Sequence, residues 1–322
     1  MLNSKKSSLE NSSSRYLICL SILLFCCAKM NLCAQGCSDA GFCSIGNLSL
    51  HKMDTKYQYN NEFSINFTVG KGDEDVSVIT HAFRYKRTIT ADWYLEGKIT
   101  GNTAKGNLGS AAGLGDIYLS STYVLTSTNK WKFSGTAGAK FPLSSGNDKV
   151  NGLSLPMQYQ SSLGTVDIIL GAAAASKNWL FAFGLQQPVT KQNQNNFLPS
   201  LWKDNIAATK YLPTNNFYRK GDILLRSTYQ TSTPSGKWNV NIGLLGIFHI
   251  LNDTYTSLEN TKPITLQGSQ GFTLNVTTYI QYKLNQKVSF GLTGGVPFIV
   301  RDIRPDGLTR SWVVSPEVNI KF

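Results

Sequence analysis

Residues 311–322 read SWVVSPEVNIKF, and their alternation decides what kind of fold the chain can adopt. Trp312, Val314, Val318, Ile320 and Phe322 share one parity, and Ser315, Glu317, Asn319 and Lys321 share the other. A period of two marks a strand with one apolar and one polar face. The apolar face runs to an aromatic last residue, where a soluble domain usually frays into water. A strand with lipid outside and a polar lumen inside accounts for the pattern. Taken alone, the stretch also fits an ordinary edge strand.

The same period recurs upstream. Trp93, Leu95 and Ile99 alternate with Asp92, Glu96 and Lys98, and Trp131, Phe133, Ala137, Ala139 and Phe141 with Lys132, Ser134, Thr136 and Lys140. Phe272, Leu274, Val276 and Ile280 alternate with Thr273, Asn275, Thr277 and Gln281. Twelve such segments follow one another: 63–70, 75–86, 89–100, 115–125, 131–141, 165–174, 179–188, 217–230, 237–249, 271–283, 287–298 and 311–322. Most are about ten residues long, the reach of a tilted membrane strand. The links after even-numbered segments are tight: around Arg87, TSTN, SKN, STPSGK and LNQK. Those after odd-numbered segments are long (101–114, 142–164, 189–216, 250–270, 299–310), except for GKGDE after the first. A soluble exported β-sandwich has no reason to sort its links by parity, whereas an outer-membrane barrel does. The expected fold is all-β: a transmembrane antiparallel up-and-down β-barrel of about twelve strands over 63–322, preceded by a periplasmic or plug segment at 35–62. Segments 75–86 and 217–230 alternate poorly.

Composition agrees with this reading. Of 322 residues, 28 are glycine, 11% are aromatic and only 16% are charged. Beyond the amino terminus no stretch approaches the ~20 consecutive apolar residues of a spanning helix. The net charge of +12 raises the question of nucleic acid. The basic residues are nevertheless scattered, with no Lys/Arg run longer than two, so a nucleic-acid partner is not expected. At the amino terminus Lys5, Lys6 and Arg15 precede the apolar run YLICLSILLFCCA (16–28), then small residues at Cys33, Ala34 and Gly36. This pattern reads as a signal peptide, 1–34, so the mature chain is exported. Cys37 and Cys43 remain, and an oxidising compartment favours a disulfide between them.

Catalytic and metal motifs are missing. His51, His81 and His249 stand isolated, and there is no HExxH, GxSxG or GxxxxGK. Neither His81 nor His249 has the serine two residues on that a barrel phospholipase uses, so no catalytic residue, metal site or cofactor is expected. By parity the lumen-lining groups are Asp92, Glu96, Lys98, Asp116, Lys132, Lys140, Asp167, Lys220, Asp222, Arg226, Lys283 and Glu317, with Lys321. Their charges nearly balance and should pair within the low-dielectric wall. Aromatics near strand ends (Trp93, Tyr123, Trp131, Trp179, Trp238, Tyr282, Trp312) suit interfacial girdles. Lys or Arg beside each tight turn suits anionic lipid headgroups, and simple solubilising lysines would look much the same.

A family resemblance rests on AGLGDIYLSSTYVL (112–125), GAKFPLSSG, SSLGTVDIILG and WLFAFGLQQP. These stretches resemble outer-membrane proteins grouped with a phenol meta-cleavage pathway, relatives of the FadL-type transporters. Gly113 to Asp116 match the family's GLGD, and Lys140, Phe141 and Pro142 resemble its strand end; together the motifs span about half the chain. The opening CSDAGFC is similar to that of Bacteroidetes transporter-like proteins. Val318, Ile320 and Phe322 resemble the signal read by the barrel assembly machinery. The resemblance implies a bacterial outer-membrane channel for passive uptake of small hydrophobic or aromatic compounds, with outer-membrane lipids and lipopolysaccharide as surroundings. Nothing in 35–62 corresponds to a FadL hatch. Phe197, Trp202, Tyr211 and Phe217 are expected either to capture solute in the loops or to pack the loops onto the rim. Alternatives are a structural or adhesive barrel with a blocked lumen, and a barrel hydrolase.

Overall fold

The computed structural model describes residues 45–49, 59–258, 262–308 and 310–322. Along the described chain run β1 (Asn61–Gly72), β2 (Ser77–Thr90), β3 (Trp93–Gly106), β4 (Gly109–Ser127), β5 (Lys132–Pro142), β6 (Lys149–Val150), β7 (Leu153–Ser154) and β8 (Asp167–Ala175). There follow β9 (Trp179–Pro188), β10 (Asp222–Ser232), β11 (Trp238–His249), β12 (Thr254–Thr256), β13 (Pro263–Thr265), β14 (Gly271–Lys283), β15 (Val288–Ile299) and β16 (Arg310–Lys321). Twelve of them close into one up-and-down antiparallel barrel, and β6–β7 and β12–β13 form two small hairpins within links. The ring shuts where β1 pairs β16, with Phe63 opposite Ile320 and Ile65 opposite Val318. Asn61 and Phe322 exchange both backbone hydrogen bonds at 3.0 Å. Closure leaves the barrel sheet without an unpaired edge.

Period-two patterning sets which way each side chain looks. On β9, Trp179, Phe181 and Phe183 stand exposed outside while Leu180 and Ala182 are buried inside. On β16, Trp312, Val314 and Ile320 face out, as does Phe322 just beyond it, while Val313, Ser315, Glu317 and Asn319 face in. Large exposed apolar side chains therefore ring the outer surface, among them Ile65, Phe83, Leu119, Leu170, Leu225, Leu244 and Leu292. At one end, the turn end, aromatic contacts such as Trp179–Phe181 (5.7 Å between centroids) and Trp238–Tyr282 (4.8 Å) line the outer rim.

Two expectations about the links need correction. Residues 101–114 are not a free loop, because β3 and β4 continue as a hairpin to Gly106 opposite Gly109. Their small residues hid the alternation. Arg87 is not a turn: β2 runs on to Thr90, with Arg87 opposite Leu95. The chain reverses only at Ala91–Asp92, which puts Asp92 in an exposed turn rather than in the lumen. Lys220 similarly precedes β10 and sits at the rim, since the strand begins at Asp222 and not at 217.

Candidate functional site in the barrel lumen

The inner wall divides into two sectors. From β8 to β11 its middle is mainly apolar: Ile169, Ala173, Leu180, Ala182, Leu224, Leu245 and Ile247 are all buried inside the ring, with Arg226, Thr228, Gln230 and Asn241 buried towards the turn end and Asp167, Gln186, Asp222 and His249 at the loop end. The short turn 45–49 packs on this sector, with Ile45 and Leu48 almost wholly buried. Two glycines let it approach. A Cβ on Gly171 would lie 3.0 Å from Leu48 Cδ2, and one on Gly46 would lie 2.6 Å from Thr122 Oγ1. Gly46 also sits at φ +50, in the left-handed region that glycine adopts readily. From the loop end, Met157, Leu163, Phe217, Leu266 and Leu308 join the same apolar cluster.

Across β16, β1, β2 and β3 the wall is polar. Arg84 Nη2 donates to Ser64 Oγ at 3.0 Å and lies 3.6 Å from Glu62 and 3.7 Å from Glu317. Ser64 donates to Asn319, Asn66 to Ser315, and Lys321 pairs with Glu62 at 3.9 Å. Lys98 Nζ sits 5.3 Å from the Tyr118 ring and Lys86 Nζ 4.2 Å from the Tyr94 ring. Low dielectric makes such pairs strong and makes a missing partner costly.

Most of the parity-assigned residues look inward. Glu96, Lys98, Asp116, Lys140, Asp167, Asp222, Arg226 and Glu317 line the wall, while Lys132 and Lys283 lie on the inward parity at the turn end. Lys140 Nζ meets Asp167 at 3.2 Å and donates to Thr165. Asp116 accepts from Ser162 Oγ at 2.6 Å and so holds the 143–166 link against the wall. Parity reasoning missed Arg84 and Lys86, because the alternation of β2 is blurred by polar outward neighbours such as His81 and Arg87, and it missed Tyr94, an aromatic at an inward position of β3.

The four loop aromatics form no open landing site. Phe197, Trp202, Tyr211 and Phe217 are buried, none more than 9% exposed. Phe197, Trp202 and Tyr211 pack with Tyr159, Leu155, Val76, Val78, Ala104 and Leu108 in a core above β2–β4. Trp202 Nε1 donates to Ser154 O at 3.0 Å, and the Tyr159 and Tyr211 hydroxyls share a 3.1 Å hydrogen bond. Burial, with that hydrogen bond, pushes the Tyr211 phenol above its ordinary range. These aromatics pack the loops together, so solute capture there is ruled out by burial. The Cys37–Cys43 pair and the segment 1–34 lie outside the described residues. Val318, Ile320 and Phe322 stand on the outer face.

His249 was read as isolated, and it is not. It stands directly opposite Asp222 across the β10–β11 hairpin. The tight turn at 233–237 fixes that register, so the pairing could have been read from the sequence. His249 Nδ1 lies 2.7 Å from Asp222 Oδ1 and Nε2 lies 2.8 Å from Asp253 Oδ1. Arg219 bonds both Asp222 and Asp306, and Arg301 bonds Asp306 at 2.5 Å and Ser269 O at 2.8 Å. All six ionisable groups of this loop-end network are at most 4% exposed. His81 instead looks outward onto the Phe67 ring, 5.0 Å away. Between Thr80, Asn102, Asp116, Gln158, Ser161 and Arg310 a cavity of about 40 Å³ remains, room for a few waters.

Neither a protein-family model nor a curated protein matches the sequence. Among solved structures the chain is similar to an outer membrane channel from Pseudomonas putida F1, with a TM-score of 0.53 and 12% identity over 84% of this chain and 100% of that one. It is also similar to the NanC porin, with a TM-score of 0.46 and 8% identity over 81% and 98% of the two chains. Outer membrane phospholipase A from Escherichia coli aligns with a TM-score of 0.37 and 10% identity over 82% and 93%. At 12% identity the likeness to the Pseudomonas channel establishes a shared closed-barrel fold.

Proposed function

We propose that this chain is a bacterial outer-membrane channel for passive entry of small hydrophobic or aromatic compounds. The carrying observation is the two-sided placement of apolar side chains. One set belts the outside of the closed ring, and a second, Leu224, Leu245, Ile247, Ile169 and Leu180, belongs to an apolar cluster within. An outer belt suits hydrocarbon, and an inner apolar sector suits a solute that water holds poorly. On this reading 1–34 is removed on export, Cys37 and Cys43 are bridged, the tight turns lie in the periplasm, and lipopolysaccharide surrounds the loop end. Val318, Ile320 and Phe322 are then what the assembly machinery reads. The turn 45–49 of segment 35–62 then obstructs the lumen, Ile45 and Leu48 holding it against the apolar cluster.

Hydrolase chemistry fits less well. Both His249 ring nitrogens are taken by aspartates, and His81 faces outward. A barrel blocked for good is the second reading, favoured by the links that fill the loop end. Liposome swelling separates the two. Purified mature protein, intact and with 35–58 deleted, is compared for entry of benzyl alcohol and of a sugar. The channel reading expects faster entry after deletion, larger for the aromatic alcohol. No entry of either solute in both forms would leave only the blocked barrel.

A further inference from the structure

The His249 ring is held from both sides by carboxylate oxygens, and neither can donate a hydrogen bond when ionised. A neutral imidazole has one N–H and one lone pair, so it satisfies one of them and repels the other. Asp253 Oδ1 is also taken by the Lys220 backbone N–H at 2.8 Å, which fixes it in place. Charge counting agrees. The network holds three aspartates (Asp222, Asp253, Asp306) and two arginines (Arg219, Arg301), so the imidazolium supplies the third positive charge. The other charged groups nearby have partners of their own. Lys220 Nζ sits 3.4 Å from the Tyr218 ring centre, Asp167 meets Lys140, Arg304 meets Asp73 at 3.0 Å, and Arg310 Nη1 donates to Gly307 O at 2.9 Å.

The location of this network gives it consequence. Asp222 and His249 belong to the wall strands β10 and β11. Arg219 closes the 189–221 link, Asp253 opens the 250–270 link, and Arg301 and Asp306 come from the 300–309 link. Phe217, Leu266 and Leu308, one from each of these links, are the residues that reach into the lumen cluster. Ser269 ties the far end of the 250–270 link to both Asp253 N and Arg301. Three covering segments thus meet the wall through one ring.

We propose that His249 is a protonation-controlled latch: as imidazolium it fastens the 250–270 link to the barrel wall, and its deprotonation as the pH rises frees that link from the lumen mouth. A neutral ring can donate to only one of the two carboxylates and leaves the network with one negative charge in excess, which a buried site tolerates poorly. Closure is therefore present while both ring nitrogens carry protons and is lost on the alkaline side. The effect on flux rests on the channel reading, and the latch itself does not.

Hydrogen exchange of the full mature chain in detergent, followed from pH 5.5 to 9.5 and corrected for intrinsic rates, tests this directly. Protection of 250–258 and 262–270 should fall about tenfold or more with rising pH, while β8 and β9 stay protected. His249→Gln should exchange fast at every pH. Asp222→Asn should exchange slowly at every pH, because its amide N–H meets the lone pair of a neutral ring and leaves two positive charges against two negative. Wild-type protection that ignores pH, or a His249→Gln variant with the wild-type profile, overturns the latch. Should His249→Gln fail to fold, an Asp222→Asn profile matching wild type overturns it instead. Planar-bilayer conductance read alongside keeps the questions apart: the exchange pattern with no current at any pH upholds the latch and sinks the channel reading.

Discussion

The two sectors of the lumen wall solve the same problem in opposite ways. Both are made of strands with the same period and both must fill the inside of a twelve-stranded ring. Midway along, the β8–β11 sector fills it mainly with Leu, Ile and Ala beside the buried Arg226, and receives an apolar turn carrying Ile45 and Leu48. The β16–β3 sector fills it with charges and hydroxyls bonded to one another across strands. An apolar wall accepts any apolar occupant, because burial is non-directional. A bonded polar wall accepts only a group that replaces the bonds it breaks. The side that can exchange its occupant is therefore the apolar one, and there the chain places its own turn.

Reversing the character of the apolar sector should have the largest effect. Leu245→Asp puts a charge into a fully buried site of the apolar cluster and should cost upwards of about 3 kcal/mol, read as a lower unfolding midpoint in urea-titrated detergent micelles. Leu48→Ala, a deletion at a wholly buried position, should cost about 2–4 kcal/mol of the turn's hold and raise bilayer conductance. Unchanged conductance would show that Leu48 does not retain the turn. In the polar sector, Glu317→Gln removes one of the carboxylates facing Arg84, and Glu62 remains. It should cost about 1–2 kcal/mol and shift the zero-current potential towards anions.

The smallest effect is expected in acid. Burial alone would push the Asp306 carboxyl up, but Arg301 and Arg219 outweigh it and hold the group well below the usual carboxylate range. A depressed native value means the stabilisation is complete above the unfolded value, about 4, and is lost only as pH falls through the native one. The 300–309 link should therefore keep its exchange protection at pH 4 and lose it only in stronger acid. Early loss at pH 5 would break the comparison between this arginine-held carboxylate and the histidine-held pair beside it.

How much of this was legible depended on locality. Strand parity needs only neighbours two apart, so the twelve strands, the inward Glu96, Lys98, Asp167 and Glu317, and the outward Phe322 could all be read from the chain. Residues 101–114 failed because glycine and alanine give a pleat no contrast. The Asp222–His249 pairing was available from the hairpin register, yet Asp253, Arg301 and Asp306 join it only through links whose paths no local period encodes. The loop aromatics failed for the same reason: Phe197 and Tyr211 look like bait until Tyr159 and Leu155, some forty or more positions away, are known to cover them.

The raised β3–β4 hairpin has a mechanical corollary. Its tip residue Leu108 is buried and donates its N–H to the Tyr159 hydroxyl at 3.1 Å, so the 143–166 link leans on an upright that belongs to the barrel's own sheet. On the opposite flank the covering links are held by buried ion pairs together with Phe217, Leu266 and Leu308. Of the two flanks, the one beside β10 and β11 is therefore the one whose hold depends on a balance of buried charge.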